Sequence, residues 1–227
     1  SFTLPNGQIL VLTRCFVPAT IHDNPTLVKS DPRYLAWLQS LPEKERKAFL
    51  EGNWDVMEGQ YFDVWNSSIH VIPTIRPPEG FQKFISLDYG YSKPASVGWW
   101  YTDYDGRMVR YREVYSERLI YSELAELIFS VTDRSELIAY CVADPSIWDD
   151  RQHHWGTIHG ESGAETMQKI FGARIRLIRG DNRRIIGWNQ MRERLKPYQG
   201  QEGRWTANLL VMDSCRDFIR TVPGLIH

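Results

Sequence analysis

Two short apolar runs in this chain each end on an aspartate: Phe84-Ile85-Ser86-Leu87-Asp88 and Ile138-Ala139-Tyr140-Cys141-Val142-Ala143-Asp144. A buried strand that ends in a carboxylate delivers a negative charge to the rim of its sheet. Two such rims side by side would offer oxygen ligands to hard divalent cations, Mg2+ or Mn2+, and hard cations prefer oxygen. Two cations about 4 Å apart can activate a water, neutralise a phosphate and assist a leaving oxygen. Asp88 and Asp144 are therefore the candidate metal ligands and catalytic residues. The competing reading is local: Asp88 caps the turn after it, and Asp144 opens an Asp-Pro turn with Pro145. Other acids have plainer roles. Glu113 lies between Arg110, Arg112 and the strand end and suits a surface ion pair, whereas Asp213 suits the cap of a helix opening at Ser214-Cys215-Arg216. Asp103 and Asp105 belong to a hairpin.

The elements that must position the two acids follow from the hydrophobic pattern. Alternating or continuous apolar runs predict strands over 83–88, 96–102 and 107–115, with Asp105-Gly106 as the turn between the last two. Leu124, Leu127, Ile128 and Val131 share one face of a helix predicted over 121–131. A strand over 137–143, a helix over 163–171, a strand over 174–178, a helix over 183–196 and a strand over 207–212 complete the order. Upstream, Asn6-Gly7 signals a turn before a strand running towards Phe16-Val17-Pro18. Asp31-Pro32 opens a helix, and Pro42 to Arg46 opens another that Gly52 ends. The stretch 68–80, with Pro73, Pro77 and Pro78, reads as a linker or edge segment and marks a domain boundary nearby.

Three antiparallel strands followed by a helix and a buried strand describe an α/β fold with a mixed sheet covered by helices. This order resembles the RNase H-like fold, in which the first and fourth strands are neighbours. In that arrangement Asp88 and Asp144 meet at one sheet edge. The Trp99-Trp100-Tyr101 group is then expected to be half core and half sheet face, rather than a base-stacking platform.

Composition narrows the classes. At 227 residues there is room for one medium domain and an appendage. Net charge is −1, so any preference for a polyanion must come from local clustering. Cys15, Cys141 and Cys215 are far apart, which argues against a zinc knot or a disulfide framework. No apolar run is long enough to span a bilayer. Basic residues do cluster: Arg174, Arg176, Arg179, Arg183, Arg184, Arg192, Arg194 and Lys196 face only Asp181 and Glu193 within the same stretch. Such a cluster is the expected footprint of phosphate contacts, unless it is a solvated helix face with internal ion pairs. Arg183 and Arg184 at the helix start, with Arg179 and with Lys93 just past Asp88, are the candidate DNA-binding residues. The loop from Ser146 to Glu161 carries Trp148, Arg151, His153, His154, Trp155 and His159; its spacing fits no zinc site, and it is expected to lie over a DNA groove, with a plain surface loop as the competing reading.

A longer set of motifs carries a resemblance. In order these are Arg14-Cys15-Phe16-Val17-Pro18-Ala19-Thr20 with Asp23-Asn24-Pro25, Asp31-Pro32-Arg33-Tyr34, and Leu41-Pro42-Glu43 with Arg46. They continue with Leu50-Glu51-Gly52-Asn53-Trp54-Asp55, Gly59 and Phe62, then His70-Val71-Ile72, Asp88-Tyr89-Gly90 with Lys93-Pro94, and Ala143-Asp144-Pro145. Together they make the chain similar to the large subunit of a tailed-bacteriophage terminase, the motor that packages viral DNA. The resemblance implies that residues 1–65 are the end of an ATPase half with its linker. It implies that 66–227 are an RNase H-like nuclease domain, truncated at its C-terminus and part of a longer polypeptide. No Gly-x-x-x-x-Gly-Lys-[Ser/Thr] phosphate loop is present, so the ATPase part is not in this chain. In the family, the residues matching Asp88 and Asp144 bind two catalytic Mg2+ or Mn2+ ions. A third catalytic acid, in an Asp-His-Ala-x-Asp-type segment, is expected beyond His227, with Asp213 or Asp217 as poor substitutes.

The resemblance further implies an endonuclease that cuts double-stranded concatemeric viral DNA, with the terminase small subunit and the portal protein as partners and no membrane. Its place would be the host bacterial cytoplasm, transiently at the procapsid portal. Two alternatives remain open on the sequence: a resolvase- or transposase-like nuclease of the same fold, and a non-catalytic module that docks DNA or a portal.

Overall fold

The structure is a computed structural model and describes residues 2–3, 9–10, 25–41, 46, 49–50, 60–149, 160–200 and 203–226. The chain divides into two compact units, Ser1–Val56 and Met57–His227. In the first, β1 (Phe2–Thr3) pairs antiparallel with β2 (Ile9–Leu10). Two helices follow, Pro25–Ser30 and Pro32–Ser40. The second starts where Asp31-Pro32 predicts: the Asp31 carboxylate accepts from the Arg33 and Tyr34 amides at 3.1 and 3.3 Å, and proline suits a first helical turn with no amide to lose. The Asn6-Gly7 turn, the strand continuing to Pro18 and most of the helix from Pro42 lie outside the described residues.

The second unit is built on β3 (Val71–Ile72), β4 (Gln82–Asp88), β5 (Ala95–Thr102), β6 (Met108–Ser116), β7 (Ile138–Ala143), β8 (Leu177–Arg179) and β11 (Leu209–Met212). A separate hairpin pairs β9 (Tyr198–Gln199) with β10 (Trp205–Thr206). The seven strands form one sheet in the order β3-β11-β6-β5-β4-β7-β8. β4, β5 and β6 are antiparallel neighbours, whereas β4-β7, β7-β8, β6-β11 and β11-β3 are parallel. The central order β6-β5-β4-β7-β8 is the RNase H-like one, with the first and fourth strands of that set adjacent. Two strands extend the sheet beyond it: β11, and β3 from the proline-rich stretch at the edge.

Local chemistry explains the elements. At the β5-β6 turn, Asp103 accepts from the Asp105 and Arg107 amides at 3.0 and 2.9 Å, and Gly106 takes φ 79°, a conformation that costs glycine little. Glu123 folds back onto the Ile120 amide at 3.0 Å and starts the helix Tyr121–Val131. Ser162 and Glu165 cap each other's amides at the start of Gly163–Phe171. The strand predicted from 174 begins at Leu177. Gln168 takes the Leu177 amide and the Ile175 carbonyl for itself, while the Arg176 carbonyl still accepts from the Cys141 amide at 2.7 Å.

Both faces of the sheet are covered. On one, Ile85, Leu87, Val97, Trp99, Tyr101 and Tyr111 pack against Leu124, Ile128, Met167 and Phe171 of the two capped helices. On the other, Trp100, Leu209 and Val211 pack with Phe62, Trp65 and Leu195, the last from the helix Arg184–Leu195. The tryptophan pair divides between the two faces: Trp99 is in the first core and Trp100 in the second, at 0% and 6% exposure. Each indole N–H finds a hydroxyl, Thr132 at 3.0 Å and Ser86 at 2.8 Å, so burial leaves no unpaired donor. Removing a ring of that size from water contributes about 5 kcal/mol. Such packing holds the ends of β4 and β7 in fixed positions.

Candidate metal centre and nucleic-acid face

The register of β4 against β7 determines where the two aspartates stand. Ile85 pairs with Cys141, Ser86 with Val142 and Leu87 with Ala143. Continued by one residue, that register brings Asp144 to Asp88, and the Asp144 amide donates to the Leu87 carbonyl at 3.3 Å. Directly paired residues of neighbouring strands share a face, and strands lie roughly 4.8 Å apart. The face is fixed by Phe84 and Tyr140, whose rings stack at 5.4 Å further down β4 and β7. Asp88 and Asp144 therefore stand together on the sheet face that carries the helix Arg184–Leu195.

The two carboxylates are not equivalent. Asp144 accepts from the Ser146 amide at 2.8 Å. Hydrogen bonds from Ser146 hold its carboxyl below the usual range, helped by the nearby Arg179. Asp88 is pushed up, first by desolvation at the rim and then by the charge of Asp144, with Arg184 pulling weakly the other way. An anchored carboxylate beside a like-charged, destabilised one is a donor pair that a cation would relieve. The all-oxygen set fits a hard divalent ion. Among the described residues, no group of three His, Cys, Asp or Glu side chains gathers as a metal cage.

The remaining acids of the sheet are committed elsewhere. Glu113 keeps its ion pair, but part-buried rather than at the surface. It accepts the Asp217 and Phe218 amides at 2.7 and 3.1 Å, capping the helix Arg216–Thr221, and it faces the buried Arg110 guanidinium at 3.5 Å. That displaces the cap expected from Asp213, which instead receives the Thr74 amide at 3.0 Å and the Thr74 hydroxyl. Asp213 follows β11, three strands from β4, too far to share an ion with Asp88. Asp217 pairs with Arg220 at 2.9 Å. The expected third acid beyond His227 lies outside the described residues.

The basic cluster separates into two groups. Arg174 points away from the acids: its guanidinium donates to the Thr132 and Asp133 carbonyls at 2.8 and 2.6 Å and lies over Phe129. Arg192 pairs with Asp63 at 2.7 Å and Lys196 with Glu193. Nearer the rim, Arg179 pairs with Asp149 at 3.0 Å and Arg183 with Asp181. Asp63 and Asp149 are partners that sequence distance hides. Arg184 makes no ion pair among the described residues; its guanidinium sits 5.0 Å from the centre of the Trp188 ring. Lys93 is exposed in the turn after Asp88. The backbone of that turn folds tightly on itself, since a Cβ at Gly90 would collide with the Lys93 carbonyl oxygen. Trp148 packs against the first core rather than over a groove, and Arg151, His153, His154, Trp155 and His159 lie outside the described residues. A cleft of about 930 Å3 opens at the other end of β4 and β7, between Lys83, Arg112, Glu136 and Arg174, away from both acids.

Comparison with known proteins gives a consistent picture at low identity. No protein-family model and no curated protein matches the chain. Solved structures do match. The large terminase of a thermophilic bacteriophage, in complex with ADP, aligns with a TM-score of 0.56 and 19% identity over 91% of this chain and 46% of that one. A second crystal form of the same protein gives 0.54 and 19% over 90% and 45%. Its complex with ATP-gamma-S gives 0.54 and 18% over 91% and 47%. The chain thus spans about half the length of the structures it matches, and its fold is that of a bacteriophage large terminase.

Proposed function

We propose that residues 66–227 form a metal-dependent endonuclease that cuts double-stranded DNA during viral genome packaging. The observation that carries this reading is the pairing of Asp88 and Asp144 on one face of the sheet rim, two like charges side by side. Two Mg2+ or Mn2+ ions held there would supply an activated water and neutralise the phosphate. The chain's own residues do the rest. The β4-β7 ladder fixes the two carboxylates, and Ser146 holds Asp144 ionised. Arg184, steadied on Trp188, and Lys93 present positive charge at the rim to the DNA backbone. Arg179 and Arg183 contribute when phosphates displace Asp149 and Asp181. Phosphate contacts of this kind position a duplex without reading its sequence, which suits cutting of concatemeric DNA.

In the same reading, residues 1–65 are the end of a packaging ATPase with its linker and 66–227 are the nuclease. The terminase small subunit and the portal are its partners, in the host cytoplasm and at the procapsid. The test is cleavage of supercoiled plasmid in Mn2+. The parent chain nicks and linearises it, and Asp88→Ala and Asp144→Ala each abolish this. Variants that cut as well as the parent would reject the assignment, and cutting confined to branched junctions would move it to a resolvase.

A further inference from the structure

We infer that Arg118 is a DNA-phosphate contact of this site, set beside the acids by its backbone; the inference rests on the proposed DNA-cutting reading. Among the described residues Arg118 is the one non-glycine residue with positive φ, at 63°. A residue with a Cβ is rarely held in that conformation unless its surroundings impose it, and such positions concentrate at functional sites. Here the surroundings are visible. The Arg118 amide donates to the Tyr91 carbonyl at 2.9 Å, and the Tyr89 hydroxyl donates to the Leu119 carbonyl at 3.2 Å. The Tyr89 ring stacks on Tyr121 at 4.0 Å. The segment after β6 is thus tied at two points to the turn that begins at Asp88.

Sheet register gives the distance scale. Asp88 pairs with Ser96, and Ser96 with Tyr115, so Tyr115 lies two strand spacings from Asp88, or about 10 Å. Arg118 comes three residues later, at the same edge, where it bonds the carbonyl of the residue three beyond Asp88. Its side chain is exposed and makes no ion pair among the described residues, unlike Arg179 and Arg183. A turn alone would be met more easily by glycine or asparagine. An unpaired guanidinium carried by a backbone held at the sheet edge of the acids would give a duplex a second anchoring phosphate contact in addition to Arg184.

The test is binding of a fluorescein-labelled duplex to the full chain in EDTA, followed by anisotropy over a series of salt concentrations. Loss of one phosphate contact weakens binding and lowers the slope of log affinity against log salt by about 1. Arg118→Gly is expected to weaken binding roughly three- to tenfold with that loss of slope. Its melting temperature should stay within about two degrees of the parent, because relief of the left-handed backbone offsets the freer unfolded chain. Arg118→Lys, which keeps the charge, should retain most of the parent's slope. An unchanged slope in Arg118→Gly, or equal losses in the glycine and lysine variants, would overturn the inference while leaving cleavage by the parent intact. A parent that binds duplex through Arg118 but never cuts plasmid with any divalent ion would reject only the nuclease reading. A parent that binds no duplex overturns both.

Discussion

Asp88 and Glu113 stand on the same face of one sheet, with Glu113 two strands across and two residues lower, in the row of Ser86. Glu113 faces the buried guanidinium of Arg110 and accepts two backbone amides. Arg110 in turn lies 5.3 Å from the centre of the Trp100 ring and 4.6 Å from that of Phe218. Asp88 has the carboxylate of Asp144 as its largest electrostatic influence after desolvation, and is pushed up by it. The protein satisfies one acid completely and leaves the other facing a like charge. A carboxylate whose needs are met internally has little to offer a ligand; one held beside a second carboxylate has much to gain from a cation.

The largest effects are expected at the rim. Asp88→Asn or Asp144→Asn removes a metal ligand, and plasmid cleavage in Mn2+ should fall by about 10^3-fold or more, since metal charge stabilisation is worth several kcal/mol. Cleavage within tenfold of the parent would place the ions elsewhere. Glu113→Gln tests the other side: it leaves Arg110 charged in a buried setting, which costs about 3 kcal/mol and should appear as a clear drop in the denaturant midpoint. Once the variant is folded, cleavage per molecule should be unchanged. A stable but inactive Glu113→Gln would erase the distinction drawn between the two acids.

Smaller effects sharpen it. Gly90→Ala drives a Cβ into a backbone oxygen in the turn after Asp88, so it should lower the melting temperature and weaken cleavage; a neutral result would mean that the turn does not position the site. Replacing Asp88 should affect stability in the opposite sense to replacing Glu113. A carboxyl pushed above its ordinary value of 3.8 resists folding once ionised. That penalty is present above the raised value and absent below 3.8. Asp88→Asn should therefore melt slightly higher than the parent at neutral pH, with the difference vanishing in acid. The smallest signal is chemical. Cys141 and Cys215 are buried, with thiols pushed up to about 12 and about 11 by desolvation. Peptides carrying them should resist iodoacetamide in the native chain and react once it is unfolded.

The sequence made the sheet legible because its signals are local. Apolar runs closing on Asp88 and Asp144, the Asp105-Gly106 turn and the periodicity of Leu124, Leu127, Ile128 and Val131 each depend on nearby residues. Every element predicted between 83 and 212 is present. What was hidden depends on long-range packing. Nothing near Glu113 signals that the helix Arg216–Thr221 will place two amides on it. Nothing near Arg179 or Arg192 points to Asp149 or Asp63. The extension of the sheet by β11 and β3 is equally remote, because Val71 and Val211 pair across most of the domain. At the site, the anchoring of Asp144 by Ser146 was available in Asp144-Pro145-Ser146, a sequence suited to an Asx turn. The positive φ of Arg118 had no local signature at all.

If Asp88 and Asp144 share divalent cations, each aspartate is needed for metal binding. Electron paramagnetic resonance of Mn2+ titrated into the full chain reads that directly, through loss of the free-ion signal. The parent should bind Mn2+, and Asp88→Asn and Asp144→Asn should each bind it far more weakly. Equal binding by all three proteins would contradict that sharing.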